Sequence, residues 1–176
     1  NKLSLSEAGI YMLGMQLASA IVIFNDSINK AFKPWLYSLL NDLTLEKKHR
    51  IVKFSYIYAL LNISISVCYY LFIILIFDYM IDAKFSDVKP ILHILIMGGC
   101  FVGFYYNFAS FLFFYSKNLW LSYATSLIGI TALLLNVYFI SSYGLSFAAI
   151  VYALSQFIFF AFCFIVGPCC GPHILT

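Results

Sequence analysis

Charge is what this sequence has least of. No Lys, Arg, Asp or Glu occurs in residues 118–176, and the stretches 54–77 and 90–116 are equally uncharged. Charged residues make up 10% of the 176, whereas about a quarter is usual in a soluble domain. With 64% hydrophobic residues and a mean hydropathy of +0.96, the composition excludes an ordinary soluble domain. A helix crosses a hydrocarbon core of roughly 30 Å with about 20 apolar residues, a length that each uncharged stretch reaches. Outer-membrane strands are excluded by the same lengths, because they need only about 10 residues of alternating character.

Catalytic constellations are also missing. His49 lies in a basic segment, His93 near one end of an apolar run and His173 in the tail, none with partners spaced for a hydrolase triad, a metal site or a phosphate loop. The five cysteines form no zinc spacing: Cys68, Cys100 and Cys163 sit inside apolar runs, and Cys169 and Cys170 are adjacent. Neither a metal nor a cofactor is expected, nor is a nucleic-acid partner.

What is present is a series of apolar spans divided by turn residues. We expect an all-α, polytopic membrane bundle with five transmembrane helices at about 8–32, 54–77, 91–116, 119–140 and 145–166. Ser4 or Ser6 would cap the first helix, with Glu7 in its first turn. Lys33-Pro34 would kink it or end it, because proline removes a donor and disfavours helix before it. Residues 41–53 and 78–89 read as hydrophilic loops, and Ser141-Ser142-Tyr143-Gly144 as a tight hairpin.

Lys33, Lys47, Lys48, Arg50 and Lys53 fall in or beside the first loop, Lys30 just before it, and Lys117 in the third connection. The opposite face carries Lys2, Lys84 and Lys89 among Glu7, Asp78, Asp82 and Asp87. By the positive-inside rule the first and third connections are cytoplasmic, placing the N-terminus outside and the C-terminus inside. The chain opens on Asn1 with no signal-peptide pattern, so we expect it to be the C-terminal part of a larger membrane protein preceded by an odd number of spans.

Polar residues within the spans mark candidate functional positions. Met12, Gln16, Ser19, Ile23, Asp26 and Lys30 recur at intervals of three or four, one stripe of a helix. Such residues at membrane depth usually face a bundle interior or an aqueous cavity. Asp26 and Lys30 also fit an interfacial pair, with the lysine snorkelling to the headgroups. Ser55, Tyr58, Asn62, Ser66 and Tyr69 form a second stripe, in which Asn62 either bonds a neighbouring helix or contacts a sugar. Gly99 and Gly103 form a GxxxG pair suited to close helix packing, continuing to Asn107 and Ser110. Ser122, Ser126 and Gly129 repeat the small-residue theme, and Gln156 is the strongly polar group deep in the last span. Some of the 14 tyrosines would form interfacial belts, and others are available to stack on sugar rings inside a cavity.

Several segments resemble a known family. Residues 7–18, EAGIYMLGMQLA, followed by Ala31-Phe32-Lys33-Pro34-Trp35-Leu36-Tyr37, look like a pattern of Wzx-type polysaccharide flippases. These belong to the superfamily that includes multidrug exporters and lipid II flippases. Tyr115-Ser116-Lys117-Asn118-Leu119 resembles the family's short basic connection, and residues 143–150, YGLSFAAI, its turn into the last helix. Ser146 and Phe147 depart from the usual Ile and Gly there.

The resemblance implies the last five of twelve helices, seven preceding Asn1, which is an odd number as the charge pattern requires. It also implies movement of an undecaprenyl-pyrophosphate-linked oligosaccharide, an O-antigen or capsule repeat unit, across a bacterial inner membrane by alternating access. The implied partners are that lipid-linked oligosaccharide, membrane lipids, the N-terminal half of the transporter and the polysaccharide polymerase machinery. Lys30, Asp26, Gln16, Asn62 and Gln156 are then the substrate-cavity candidates. The alternatives are a membrane-embedded polysaccharide polymerase or ligase, for whose extracytoplasmic catalytic loop residues 78–89 are too short, and a drug/cation antiporter, which would use Asp26 for its coupling cation.

Overall fold

A computed structural model describes residues 5–169, and among these the regular structure is entirely helical. The helices are α1 (Leu5–Asn41), α2 (Leu45–Met80), α3 (Lys89–Phe114) and α4 (Asn118–Cys169), with a 3-10 turn at Ala83–Val88. All four α-helices are long and apolar enough to cross a membrane, which supports a membrane-embedded protein.

The helices are longer than the sequence stretches imply. α1 runs through Pro34 to Asn41 rather than ending at Phe32. The proline deprives the Lys30 carbonyl of its intrahelical donor, a loss that transmembrane helices tolerate where neighbours re-satisfy the backbone. The expected first loop shrinks to a short turn, because Thr44 caps α2 by accepting from the Lys47 amide at 3.4 Å. Lys47, Lys48, Arg50 and Lys53 therefore stand on the opening turns of a helix. At the far end Asp82 accepts from the Lys84 amide at 3.1 Å, and the Lys89 ammonium reaches the Asp78 carboxylate at 2.7 Å.

α4 spans 52 residues, but its backbone leaves helical geometry at Gly144 (φ 67, ψ −160). That conformation is open essentially only to glycine. There the chain folds back: Leu121 and Ala124 share one apolar cluster with Phe159 and Cys163. The expected spans 119–140 and 145–166 thus lie on the two sides of this break within one assigned helix.

α3 is the centre of the bundle. In its most apolar window 56% is buried, against 22% in α1 and in α2 and 28% in α4. The alternation of the chain is visible in its apolar clusters. Leu36, Leu40, Ile51 and Phe111 pack together with Leu43 and Tyr115 at one end, beside the turns between α1 and α2 and between α3 and α4. Ile10, Phe77, Val88 and Ile91 pack at the other, with Leu145 from beside the Gly144 break. The basic residues of early α2 and Lys117 consequently share an end, while Glu7, Asp78, Asp82 and Asp87 share the opposite one.

Candidate functional site

Two polar features lie at membrane depth. The first is a buried seam joining α1, α2 and α3. Asn25, Asn29, Asn62, Ser66, Asn107 and Ser110 are all buried. The Tyr58 hydroxyl donates to Asn25 Oδ1 at 2.9 Å, the Asn62 amide to the Cys100 carbonyl at 2.9 Å, and the Ser110 hydroxyl to Asn29 Oδ1 at 3.0 Å. Tyr69 extends the seam by donating to the Leu17 carbonyl at 2.7 Å.

Gly103 makes room for this seam. A Cβ there would lie 2.6 Å from the Asn25 and Asn62 amides, whereas a Cβ at Gly99 would meet α1 at 3.5 Å, an ordinary contact. Gly98, which the GxxxG pattern does not contain, is packed still more tightly under the Tyr152 ring. Asn62 thus bonds a neighbouring helix and lines neither described cavity.

The second feature is a cavity of about 550 Å³ between α1, α3 and both halves of α4. Tyr11, Tyr105, Tyr106 and Tyr152 supply its aromatic walls, and Thr125, Asn136, Ser155 and Gln156 its polar ones. The Thr125 and Ser155 hydroxyls donate to their own helix, to Leu121 and Val151 carbonyls at 2.7 Å, so their oxygens remain acceptors toward the cavity. Asn136 donates to the Ala132 carbonyl at 2.9 Å, and its buried Oδ1 has no partner among the described residues. Uncharged acceptors between phenol rings suit a neutral ligand rich in hydroxyl donors.

Asp26 and Lys30 pair at 2.6 Å, with Lys30 exposed and Asp26 about one-third exposed. Neither lines the tyrosine cavity; on α1 they follow its wall residue Val22 at successive four-residue steps. The rest of the α1 stripe continues this side: Met12, Gln16, Ser19 and Ile23 are exposed with Lys30 on the face turned from the bundle. Of the sequence candidates, then, the structure brings Gln156 into the cavity, while Asp26, Lys30, Gln16 and Asn62 lie outside its lining. Ser122, Ser126 and Gly129 are exposed, and nothing lies within 4 Å of where a Gly129 side chain would start.

Sequence reasoning did not single out Tyr106, Thr125, Asn136 and Ser155, which belong to three different faces before the chain folds. It did mark Gln156, which lies one turn from Tyr152 on the same helix. Asn25 and Asn29 were equally unmarked, although they sit four apart on the buried face of α1. His93 is exposed, edge-on to Tyr70, and His49 bonds its own helix. Among the described residues no group of three or more His, Cys, Asp or Glu could hold a metal. Residues 170–176, with Cys170 and His173, lie outside the described part, as do Ser4 and the Cys169 side chain.

Compared with known proteins, the chain matches no family model, no curated protein and no solved structure.

Proposed function

We propose that this chain is the C-terminal part of a Wzx-type flippase that carries an undecaprenyl-pyrophosphate-linked oligosaccharide, an O-antigen or capsule repeat unit, across a bacterial inner membrane. The observation that carries the proposal is the tyrosine-walled cavity, with the Asp26–Lys30 pair on the α1 turns that follow its wall residue Val22. An oligosaccharide cannot enter hydrocarbon unaided, and unpaired hydroxyls there are costly. Thr125, Asn136, Ser155 and Gln156 would accept hydrogen bonds from the sugars, the tyrosines would stack on their rings, and Lys30 would exchange its carboxylate partner for the pyrophosphate.

Three further points support this reading. The motifs of residues 7–18, 31–37, 115–119 and 143–150 resemble that family. With the break at Gly144, α4 would make two crossings, giving five in all, and the basic end of the bundle, with the C-terminus, would face the cytoplasm. Finally, Gln16, Ser19 and Lys30 are exposed on α1, a polar surface that lipid would not cover and that the remaining helices of a twelve-helix transporter would.

The test is export in cells that depend on the full-length protein. Lys30→Ala and Gln156→Leu should each reduce surface polysaccharide and accumulate lipid-linked oligosaccharide at unchanged protein level, with Lys30→Arg retaining some export because the charge persists. Normal export by a Lys30→Ala, Gln156→Leu double variant would reject the cavity as the substrate path.

A further inference from the structure

A second cavity, of about 450 Å³, lies on another face of α3, between the first half of α2 and the second half of α4. It differs in chemistry from the first. Phe104, Phe108 and Phe111 of α3 face Phe160 and Phe164 of α4, and Val52 and Ala59 close it from α2. A sugar would find almost nothing to bond there. A hydrocarbon chain would.

Ser55 and Tyr56 add hydroxyls on the α2 side, and one buried polar group interrupts the phenylalanine wall of α3. Asn107 is 3% exposed, and its Oδ1 has no hydrogen-bond partner among the described residues. The two ends of a side-chain amide exchange by a half-turn, so this position can offer an acceptor or an N–H donor to whatever fills the cavity. Leaving it unpaired is costly.

One basic residue stands in line with the cavity's α2 wall, on a helix turn rich in others. Lys48, Val52, Ser55 and Ala59 follow one another at intervals of four, three and four, which places the lysine on the cavity-facing side of α2 above the apolar wall. Lys47, Arg50 and Lys53 stand on the same turns, so residues 46–53 hold four basic groups against one acid, Glu46.

We infer that this cavity binds one anionic phospholipid, with an acyl chain between the phenylalanine rings and its phosphate at the basic turns of α2. The Asn107 amide then donates to a lipid ester carbonyl, which lies between chain and phosphate. Basic residues at a membrane surface select anionic over zwitterionic headgroups, and an apolar cavity below them holds the lipid in place rather than merely near. The inference requires membrane embedding and does not depend on the flippase reading.

The experiment is native mass spectrometry of the purified full-length protein with phosphatidylglycerol or phosphatidylcholine of identical chains. Wild type should keep one phosphatidylglycerol under activation that strips phosphatidylcholine. Ala59→Trp and Ser55→Phe, which fill the cavity from one end and from the middle of its α2 wall, should each lose that lipid. Leu61→Trp, on the exposed opposite side of α2, should keep it. Replacing Lys48, Arg50 and Lys53 together by Gln should abolish the preference for phosphatidylglycerol. Unchanged melting temperatures establish that the variants fold, and one filling variant that folds is sufficient. Equal retention of the two lipids, retention by a folded filling variant, or no retained lipid in wild type because other helices occupy the cavity would each overturn the proposal.

Discussion

Replacing Gly103 by alanine inserts a methyl group into the tightest point of the α1–α2–α3 seam. The new Cβ would lie 2.6 Å from Asn25 Cγ and Nδ2 and from Asn62 Nδ2, well inside van der Waals contact. Neither amide is free to retreat: Asn25 accepts from Tyr58, and Asn62 donates to the Cys100 carbonyl, both at 2.9 Å. Overpacking of this kind costs about 1–3 kcal/mol. Losing two interhelical bonds adds about 0.6 kcal/mol each in a membrane setting. The expected destabilisation is therefore about 2–4 kcal/mol. Gly99→Ala is the internal control. Its Cβ would meet Ala18, Ile21 and Val22 at 3.5 Å, ordinary contact, so the change should stay within about 0.5 kcal/mol. Reversible unfolding of the full-length protein by steric trapping in bilayer-like micelles measures both. Equal losses at the two glycines, or no loss at Gly103, would refute the argument that the seam rather than the GxxxG spacing sets the packing.

Further outcomes follow from the same geometry. Gly144→Ala meets no atom within 4 Å, so its cost is purely conformational, about 1–3 kcal/mol from the positive φ; steric trapping should show that loss, and a neutral result would mean that α4 is not broken there. In a cysteine-free, full-length background, a cysteine replacing Lys48 should be shielded from impermeant thiol reagents added to intact cells, while one replacing Ser86, exposed at the opposite end, should be labelled. The reverse pattern would invert the orientation.

Much of the architecture was legible in the sequence because lipid leaves few choices: uncharged stretches must be helices, and their ends must alternate. The α2 stripe was equally legible, since Tyr58, Asn62 and Ser66 repeat at helical spacing and all turn inward. Helix ends were harder. Pro34 and the basic residues 47–53 read as breaks, yet a capping Thr44 and a short turn let both helices run on, because polar residues beyond the hydrocarbon are free to be helical. The α1 stripe shows a different limit. Periodicity finds that Gln16 and Lys30 share a side but does not say which side faces the bundle, and the buried side carries Asn25 and Asn29 instead. The cavity was only partly visible, since Tyr106, Asn136 and Gln156 come from separate segments that meet only once α4 folds back on α3.

The proposed activity is tested most directly by reconstitution. Full-length protein in liposomes, supplied with an undecaprenyl-pyrophosphate-linked oligosaccharide bearing a fluorophore, should move that lipid between leaflets, read as its protection from an impermeant quencher. Wild type should protect it faster than protein-free liposomes, and Lys30→Ala combined with Gln156→Leu should fall to the protein-free rate. No movement by wild type, or the wild-type rate in the double variant, would contradict the account.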